Sequence, residues 1–453
     1  MMWSTAMYNY SEIGMTKHQS TNLQRYFSAT CLMNSNYSTL LSKKRTYAAF
    51  NDVETTPDEI TPRKCAQMLA DHGISEVLDP MAGYGTILQY GRKSDFGSFL
   101  VEINLPAHLW QLIAQPENSE KLITIVNKII AAKDIWPVPK CLAEVSNEWI
   151  GSEGLRILCL LYDLNRNIVA PFFDDTIVVE KMALAIMLPI VLRLSTAQKG
   201  DAAYVKRNGG VSILKGYDAD YHFYLNNMLL PFLEDNFKEY SQVIWGEEKW
   251  GNTCIYGNAM SYNFPQDRFH GMLTSPPYPN GSDYGKMFSA ENFFIDALSR
   301  KNLIHFEIIP SQIIGTNTVK DRQAEQLTLQ TAKVFLGKLR NLKLNKKAKM
   351  DMLSYYIPYY RNYFCDLEKA YRNISTALSE RFLGYIIVTN NAIRNIEVPV
   401  SDFIIELWQS LGFNAKCIKS KEVSHVGAKN PHAKGRMSLH CEHIIQIWRG
   451  GDV

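Results

Sequence analysis

Residues 272–284, "MLTSPPYPNGSDY", set two consecutive prolines directly behind an apolar run. Pro276 and Pro277 remove two backbone donors and fix φ, so neither a helix nor a central strand passes through them. Ser275 in front and Tyr278 behind are therefore held in one rigid corner. That corner offers a hydroxyl, a proline carbonyl with no competing N–H, and an aromatic face. Isolated Pro-Pro pairs also serve as plain rigid turns or as polyproline-type ligands. The apolar strand pattern that runs straight into this pair, and a glycine turn far upstream, favour a chemical role.

The upstream turn is "DPMAGYGT", residues 79–86. Asp79 ends a short apolar strand, "ISEVLDP", and Gly83 and Gly85 permit positive φ and close approach of backbone to a ligand. Pro80, Ala82 and Thr86 complete the turn. No G-K-[ST] follows, and the dinucleotide spacing G-x-G-x-x-G is absent, so a ligand without phosphates is favoured. Glu102 ends the next strand, "GSFLVEINLP", where acids accept hydrogen bonds from a ribose diol in dinucleotide folds. Taken singly, these pieces also fit a glycine turn and a helix-capping acid.

The elements that position these residues follow an α/β rhythm. Thr61 as N-cap, Pro62 at the first helical position and Gly73 as a stop predict a helix ahead of the first strand. Strand, glycine turn, helix and strand with a terminal acid form the first half of a doubly wound sheet. From about 107 to 250 the pattern is helical, without strand rhythm. Strands are expected again in "TCIYGNAMSYNF" and "FHGMLTSPPY", then basic helical sequence over 300–350. The last hundred residues give a helix (359–380), a strand (383–391), a helix (401–412) and a strand (440–448).

Composition sets the outer bounds. The chain has 453 residues, 46% hydrophobic and 21% charged, which fits a globular protein of two or three structural units. A formal charge of +3 is too small to imply a polyanionic partner without a local basic patch. The eight cysteines include no C-x-x-C pair, which argues for a reducing compartment and against a zinc ribbon or disulfide scaffold. "MALAIMLPIVL" (182–192) is too short to span a membrane and contains Pro189, so it reads as a buried helix. The first 48 residues read as a loosely packed arm rather than a transit peptide, given Glu12 and the lack of an Arg-rich amphipathic helix.

Together, "DPMAGYGT", "VEIN" (101–104), "YGNA" (256–259) and "TSPPY" (274–278) resemble the successive motifs of S-adenosylmethionine-dependent DNA amino-methyltransferases, which act on cytosine N4 or adenine N6. The resemblance implies a Rossmann-like methyltransferase sheet with helical insertions and S-adenosylmethionine held by Asp79, Pro80, Ala82, Gly83, Gly85, Thr86, Glu102 and Asn258. Asn258 stands where the family usually carries an aspartate that contacts the cofactor's adenine amine. Catalysis is expected from Ser275, Pro276, Pro277 and Tyr278, with no metal. Ser275 Oγ and the Pro276 carbonyl would bind the two hydrogens of the exocyclic amine and turn its lone pair towards the methyl group. Tyr278 would stack on a base flipped out of duplex DNA.

The same resemblance divides the chain into an arm (1–50), a cofactor-binding half (51–106), a helical insertion for target recognition (107–250), a catalytic segment (251–299), a basic helical insertion (300–354) and a C-terminal part (355–453). Ser before Pro-Pro tilts the base towards cytosine N4. Adenine N6, an RNA amine and a catalytically silent nucleic-acid-binding subunit are the alternatives. Double-stranded DNA is the expected partner, with a cognate restriction endonuclease as a companion, in a cytoplasmic, nucleoid-associated protein without membrane contact.

Two other groups stand out. "HCEH" (440–443) resembles a metal cluster, but strand alternation puts Cys441 and His443 on one face and His440 and Glu442 on the other. Residues 416–438 carry six Lys or Arg against Glu422 and read as a loop that either grips phosphates or is simply solvated. "YVKRNGG" (204–210) is a smaller group of the same kind.

Overall fold

The computed structural model describes residues 60–83, 85–113, 181, 184, 197–199, 204–206, 251–279, 288, 292, 295, 313–316, 319, 326–424 and 439–450. The chain divides into two units, Met1–Asp52 and Val53–Val453, and all the described residues belong to the second. The arm over 1–50, most of the insertion over 107–250, the apolar run at 182–192 apart from the buried Leu184, and the second half of the basic stretch at 416–438 lie outside the described residues.

Helix α1, Pro62–Asp71, starts as its sequence dictates: Thr61 Oγ1 accepts the Lys64 N–H at 3.1 Å, and Gly73 follows with φ of 73°. Strand β1, Glu76–Asp79, and β2, Gly97–Glu102, flank helix α2, Thr86–Ser94, and helix α3, Leu105–Ile113, follows β2. Every residue of β2 is buried, which is why its centre, Phe99-Leu100-Val101, is apolar on both faces instead of alternating. A short hairpin, β3 (Ala197–Lys199) with β4 (Tyr204–Lys206), occupies a region whose sequence shows no strand rhythm.

Strands β5, Thr253–Tyr256, and β6, Phe269–Thr274, come next. Helix α4, Gln330–Arg340, and helix α5, Lys346–Asp351, lead through a π-helical turn, Met352–Tyr356, into the long helix α6, Ile357–Ser375. The chain then forms β7 (Leu378–Asn390), the small pair β8 (Ala392–Ile393) and β9 (Ile396–Glu397), helix α7 (Val400–Ser410), β10 (Asn414–Ser424) and β11 (Leu439–Arg449). Strand β10 corrects the loop expected from residue 416 onward. Lys416, Lys419 and Lys421 belong to a strand, and their exposed or half-exposed side chains had masked its pattern.

Seven strands form one sheet in the order β10-β11-β7-β6-β1-β2-β5. Pairing is parallel from β5 through β7, while β11 runs antiparallel to both β7 and β10. The protein is therefore α/β with a mostly parallel sheet. Ile386, Val388, Leu367, Tyr371, Ile374, Phe403, Leu407 and Trp408 belong to one buried cluster that joins β7, α6 and α7. Each such fully buried large side chain contributes roughly 1.5–3 kcal/mol. That core gives rigid support to the loops at the strand ends.

Candidate functional site

Strand order reverses between β1 and β6. From β1 the chain steps outward through β2 to β5, whereas β6 and β7 lie on the opposite side. Ligands of open α/β sheets bind beyond the carboxyl ends of the strands at such a reversal. Asp79, Glu102, Tyr256 and Thr274 are the last residues of β1, β2, β5 and β6, so the motifs singled out in the sequence converge on this one edge.

Asp79 is buried and joins the two halves of the edge. Its Oδ1 accepts the Thr274 hydroxyl at 2.7 Å and the Met81 N–H at 3.3 Å. The turn after β1 is stapled to β2 by the Ala82 N–H to the Val101 carbonyl at 3.1 Å. Gly83 N–H donates to Glu102 Oε2 at 2.6 Å, and the buried Gln111 of α3 donates to the Gly83 carbonyl at 2.6 Å. Gly83 and Gly85 both have positive φ, 53° and 77°. Their surroundings differ. A Cβ at Gly83 would meet nothing within 4 Å, whereas one at Gly85 would press on Gln111, Leu88 and Leu100 at 3.1–3.3 Å. Gly83 therefore borders open space, and Gly85 is a packing requirement at the start of α2. Pro80 and Ala82 are buried, and Thr86 opens the helix.

Glu102 ends β2 with a 5% exposed side chain. Burial raises its pKa above the ordinary 4.5, against the N–H groups of Asn104 and Gly83, which favour the charged form. Oε1 accepts both the Asn104 backbone and side-chain N–H at 2.7 and 2.8 Å. Beyond β5, Asn258 Oδ1 accepts the Met260 N–H at 2.9 Å. The side-chain oxygen expected to face a ligand amine thus already closes a local turn. Asn373 of α6 fixes the same loop, donating to the Ala259 and Tyr262 carbonyls at 2.9 and 2.8 Å.

Beyond β6, Ser275 Oγ and the Tyr278 hydroxyl share a hydrogen bond of 2.8 Å. Tyr278 is thus more than a ring. Pro276 is buried, and the Pro277 carbonyl accepts the Tyr363 hydroxyl of α6 at 3.0 Å. A Cβ at Gly315, whose φ is 79°, would lie 3.7 Å from the Tyr363 ring and 3.9 Å from the Tyr278 carbonyl. Residues 313–316 therefore pack against the turn.

Several members of this edge escaped the sequence reading. Thr274, Gln111, His108, Tyr363, Tyr371 and Asn373 carry no local signal, because each matters through a partner at least 28 positions away or through burial. His108 of α3 stacks on Tyr256, with ring centroids 5.6 Å apart, and is held down to a pKa of about 3 by burial and by the charge of Lys181, against a Gln111 hydrogen bond. Tyr371 is fully buried, and its hydroxyl has no hydrogen-bond partner among the described residues. Burial, with the negative charge of nearby Asp79 added to it, raises its pKa. Among the described residues no three His, Cys, Asp or Glu side chains form a metal-binding group, and no helix is long and apolar enough to cross a membrane. No family model and no curated protein matches this sequence.

Proposed function

We propose that this protein is a DNA amino-methyltransferase that uses S-adenosylmethionine and acts on the N4 amine of cytosine. The observation that carries this reading is the Asp79–Thr274 bond of 2.7 Å, which ties a glycine turn to a Ser-Pro-Pro-Tyr turn at the strand reversal. A doubly wound methyltransferase sheet is the finer reading of the observed α/β order.

The residues present fit the cofactor. Gly83 borders open space, which lets backbone approach a bulky ligand, and Glu102 offers a carboxylate at the β2 end to a ribose diol. Asp79, Pro80, Ala82, Gly85 and Thr86 hold the turn that presents them, and Asn258 borders the far side. S-adenosylmethionine, when bound, supplies a methyl group already activated on a sulfonium. The protein's own work is orientation. An exocyclic base amine is a poor nucleophile because its lone pair is delocalised into the ring. Ser275 Oγ, oriented by the Tyr278 hydroxyl, and the Pro276 carbonyl accept its two hydrogens and favour a tetrahedral nitrogen. The prolines keep these dipoles in place, so little reorganisation is needed during reaction. The Tyr278 ring gives the flipped base a surface to stack on and offsets part of the unstacking cost.

Incubating the purified chain with methyl-labelled S-adenosylmethionine and either duplex DNA or RNA tests the reading. Label on cytosine N4 of DNA is expected. Label on adenine N6 would move the base within the same chemistry, label confined to RNA would overturn the substrate, and no transfer to any nucleic acid would overturn the catalytic reading.

A further inference from the structure

One feature of the fold lies outside the strand-end site but is physically attached to it. Between Lys338 and Lys349 six residues are Lys or Arg: Lys338, Arg340, Lys343, Lys346, Lys347 and Lys349. All six are exposed, on the end of α4, the connection after it and α5. No Asp or Glu occurs from Gln326 to Met350. With Lys333 this stretch carries +7, and the chain as a whole carries +3, so the remainder is −4. This short helical segment thus carries more net positive charge than the chain as a whole. An ordinary solvated helix surface alternates signs and gains i,i+4 pairs. This one has a single acid at that spacing, Asp351 four residues after Lys347, so repulsion among the lysines outweighs it and an external polyanion would relieve that repulsion.

The segment is continuous with the support of the Pro-Pro-Tyr turn. Its last helix passes through the π turn, where the Ile357 N–H bonds to the Met352 carbonyl, into α6. Such turns often mark functional sites in helices. Tyr355 of that turn stacks on Tyr359 with centroids 6.0 Å apart and planes 13° apart. One helical turn further on, Tyr363 donates to the Pro277 carbonyl at 3.0 Å. Nucleic acid held by the lysines would be held by the same helical run that anchors the turn.

We infer that residues 338–349 form a docking surface for the phosphate backbone of duplex DNA, which places the duplex beside the Ser275–Tyr278 turn. The inference deepens the methyltransferase reading and rests on it for the choice of duplex DNA. Lysine is a point-charge phosphate binder without base preference, so the surface contributes affinity and position but no sequence choice. An anionic membrane is the competing occupant of a basic helix with apolar neighbours. The exposed large apolar side chains along this stretch are Val334, Met350 and Leu353, 45%, 61% and 49% exposed, too few and too scattered for a membrane-inserting face.

The test is binding of the full chain to a short duplex of arbitrary sequence, without cofactor, across a salt series. Each lost phosphate contact lowers the slope of log affinity against log salt by about 0.9. The triple variant Lys346→Gln/Lys347→Gln/Lys349→Gln is therefore expected to bind at least ~10-fold more weakly, with a slope shallower by about 2–3. Its unfolding midpoint should not fall, because all three side chains are exposed and their removal relieves repulsion. Unchanged duplex affinity and slope would overturn the surface. So would a loss confined to single-stranded RNA or to phosphatidylserine vesicles. Methyl transfer is scored separately. A chain that transfers no methyl group but loses duplex affinity in the variant keeps the surface and loses the enzyme, and the reverse pattern keeps the enzyme and loses the surface.

Discussion

At the residue scale, the Tyr278 hydroxyl is the group whose role the tertiary contacts change most. A stacking shelf needs only the ring, so Tyr278→Phe would be silent if stacking were the whole task. The 2.8 Å bond to Ser275 gives the hydroxyl a second task, since it fixes the direction of Oγ. A hydrogen bond of this kind is worth about 1 kcal/mol net, so Tyr278→Phe is expected to slow single-turnover methyl transfer roughly 5-fold. Tyr278→Ala also loses a stacking surface of ~1–3 kcal/mol per base and should weaken DNA binding as well as slow the rate. A full-rate Tyr278→Phe would show that Ser275 needs no such orientation. The two glycines of the turn after β1 separate in the same way. Gly85→Ala meets three side chains in a strained φ and is expected to lower stability by about 2 kcal/mol or more, read by denaturant midpoint. Gly83→Val projects into open space, so its larger effect should be on S-adenosylmethionine affinity in calorimetry.

The element that organises the site is α6, a helix that contributes no motif of its own. From one run it reaches the Pro277 carbonyl through Tyr363, the loop after β5 through Asn373, and the buried space near Asp79 and Tyr278 through Tyr371. Between strands the corresponding device is Thr274, whose hydroxyl serves a buried carboxylate. Hydrogen bonds to charged groups contribute ~1.5–3 kcal/mol, so Thr274→Val should lower the unfolding free energy by about that much while preserving the side-chain shape. Because the same bond joins the glycine turn to the Ser-Pro-Pro-Tyr turn, the proposed S-adenosylmethionine binding should weaken with it. A variant that unfolds at the wild-type denaturant concentration would show that Asp79 does not depend on this partner.

For the whole molecule, buried titratable groups couple folding to pH. His108 is held down to about 3 from an ordinary 6.5, chiefly by burial. An unfolded chain takes up a proton on this residue near 6.5, while the folded one stays neutral until about 3. The unfolded state therefore binds more protons between those values, and the stability that His108 contributes is complete above 6.5 and lost as pH falls towards 3. Glu102 acts with the opposite sign: its raised pKa keeps the folded state protonated longer, so its term declines as pH rises through that pKa. Comparing wild type with His108→Phe, which retains a ring against Tyr256, cancels the Glu102 term. The difference in unfolding midpoint is expected to shift in the variant's favour as pH is lowered from neutral to mildly acidic. A difference independent of pH would remove His108 from the linkage.

What the amino-acid sequence determined by itself was local. The Thr61 cap, the glycines at positive φ and the apolar Phe99-Leu100-Val101 centre of β2 follow from backbone sterics and from burial on both faces, and each is written within a few residues. The Ser-Pro-Pro-Tyr corner was visible for the same reason, since two prolines dictate their own geometry. Strand β10 was hidden, because its lysines follow the exposure of a sheet edge and not an apolar alternation. Only the tertiary structure decided which side chains meet. The Asp79–Thr274 strap spans 195 positions, the Tyr363 contact with Pro277 spans 86 and the Gln111 grip on Gly83 spans 28. Hydrogen bonds depend on distance in space, and no periodicity along the chain encodes a partner that the sheet order brings alongside.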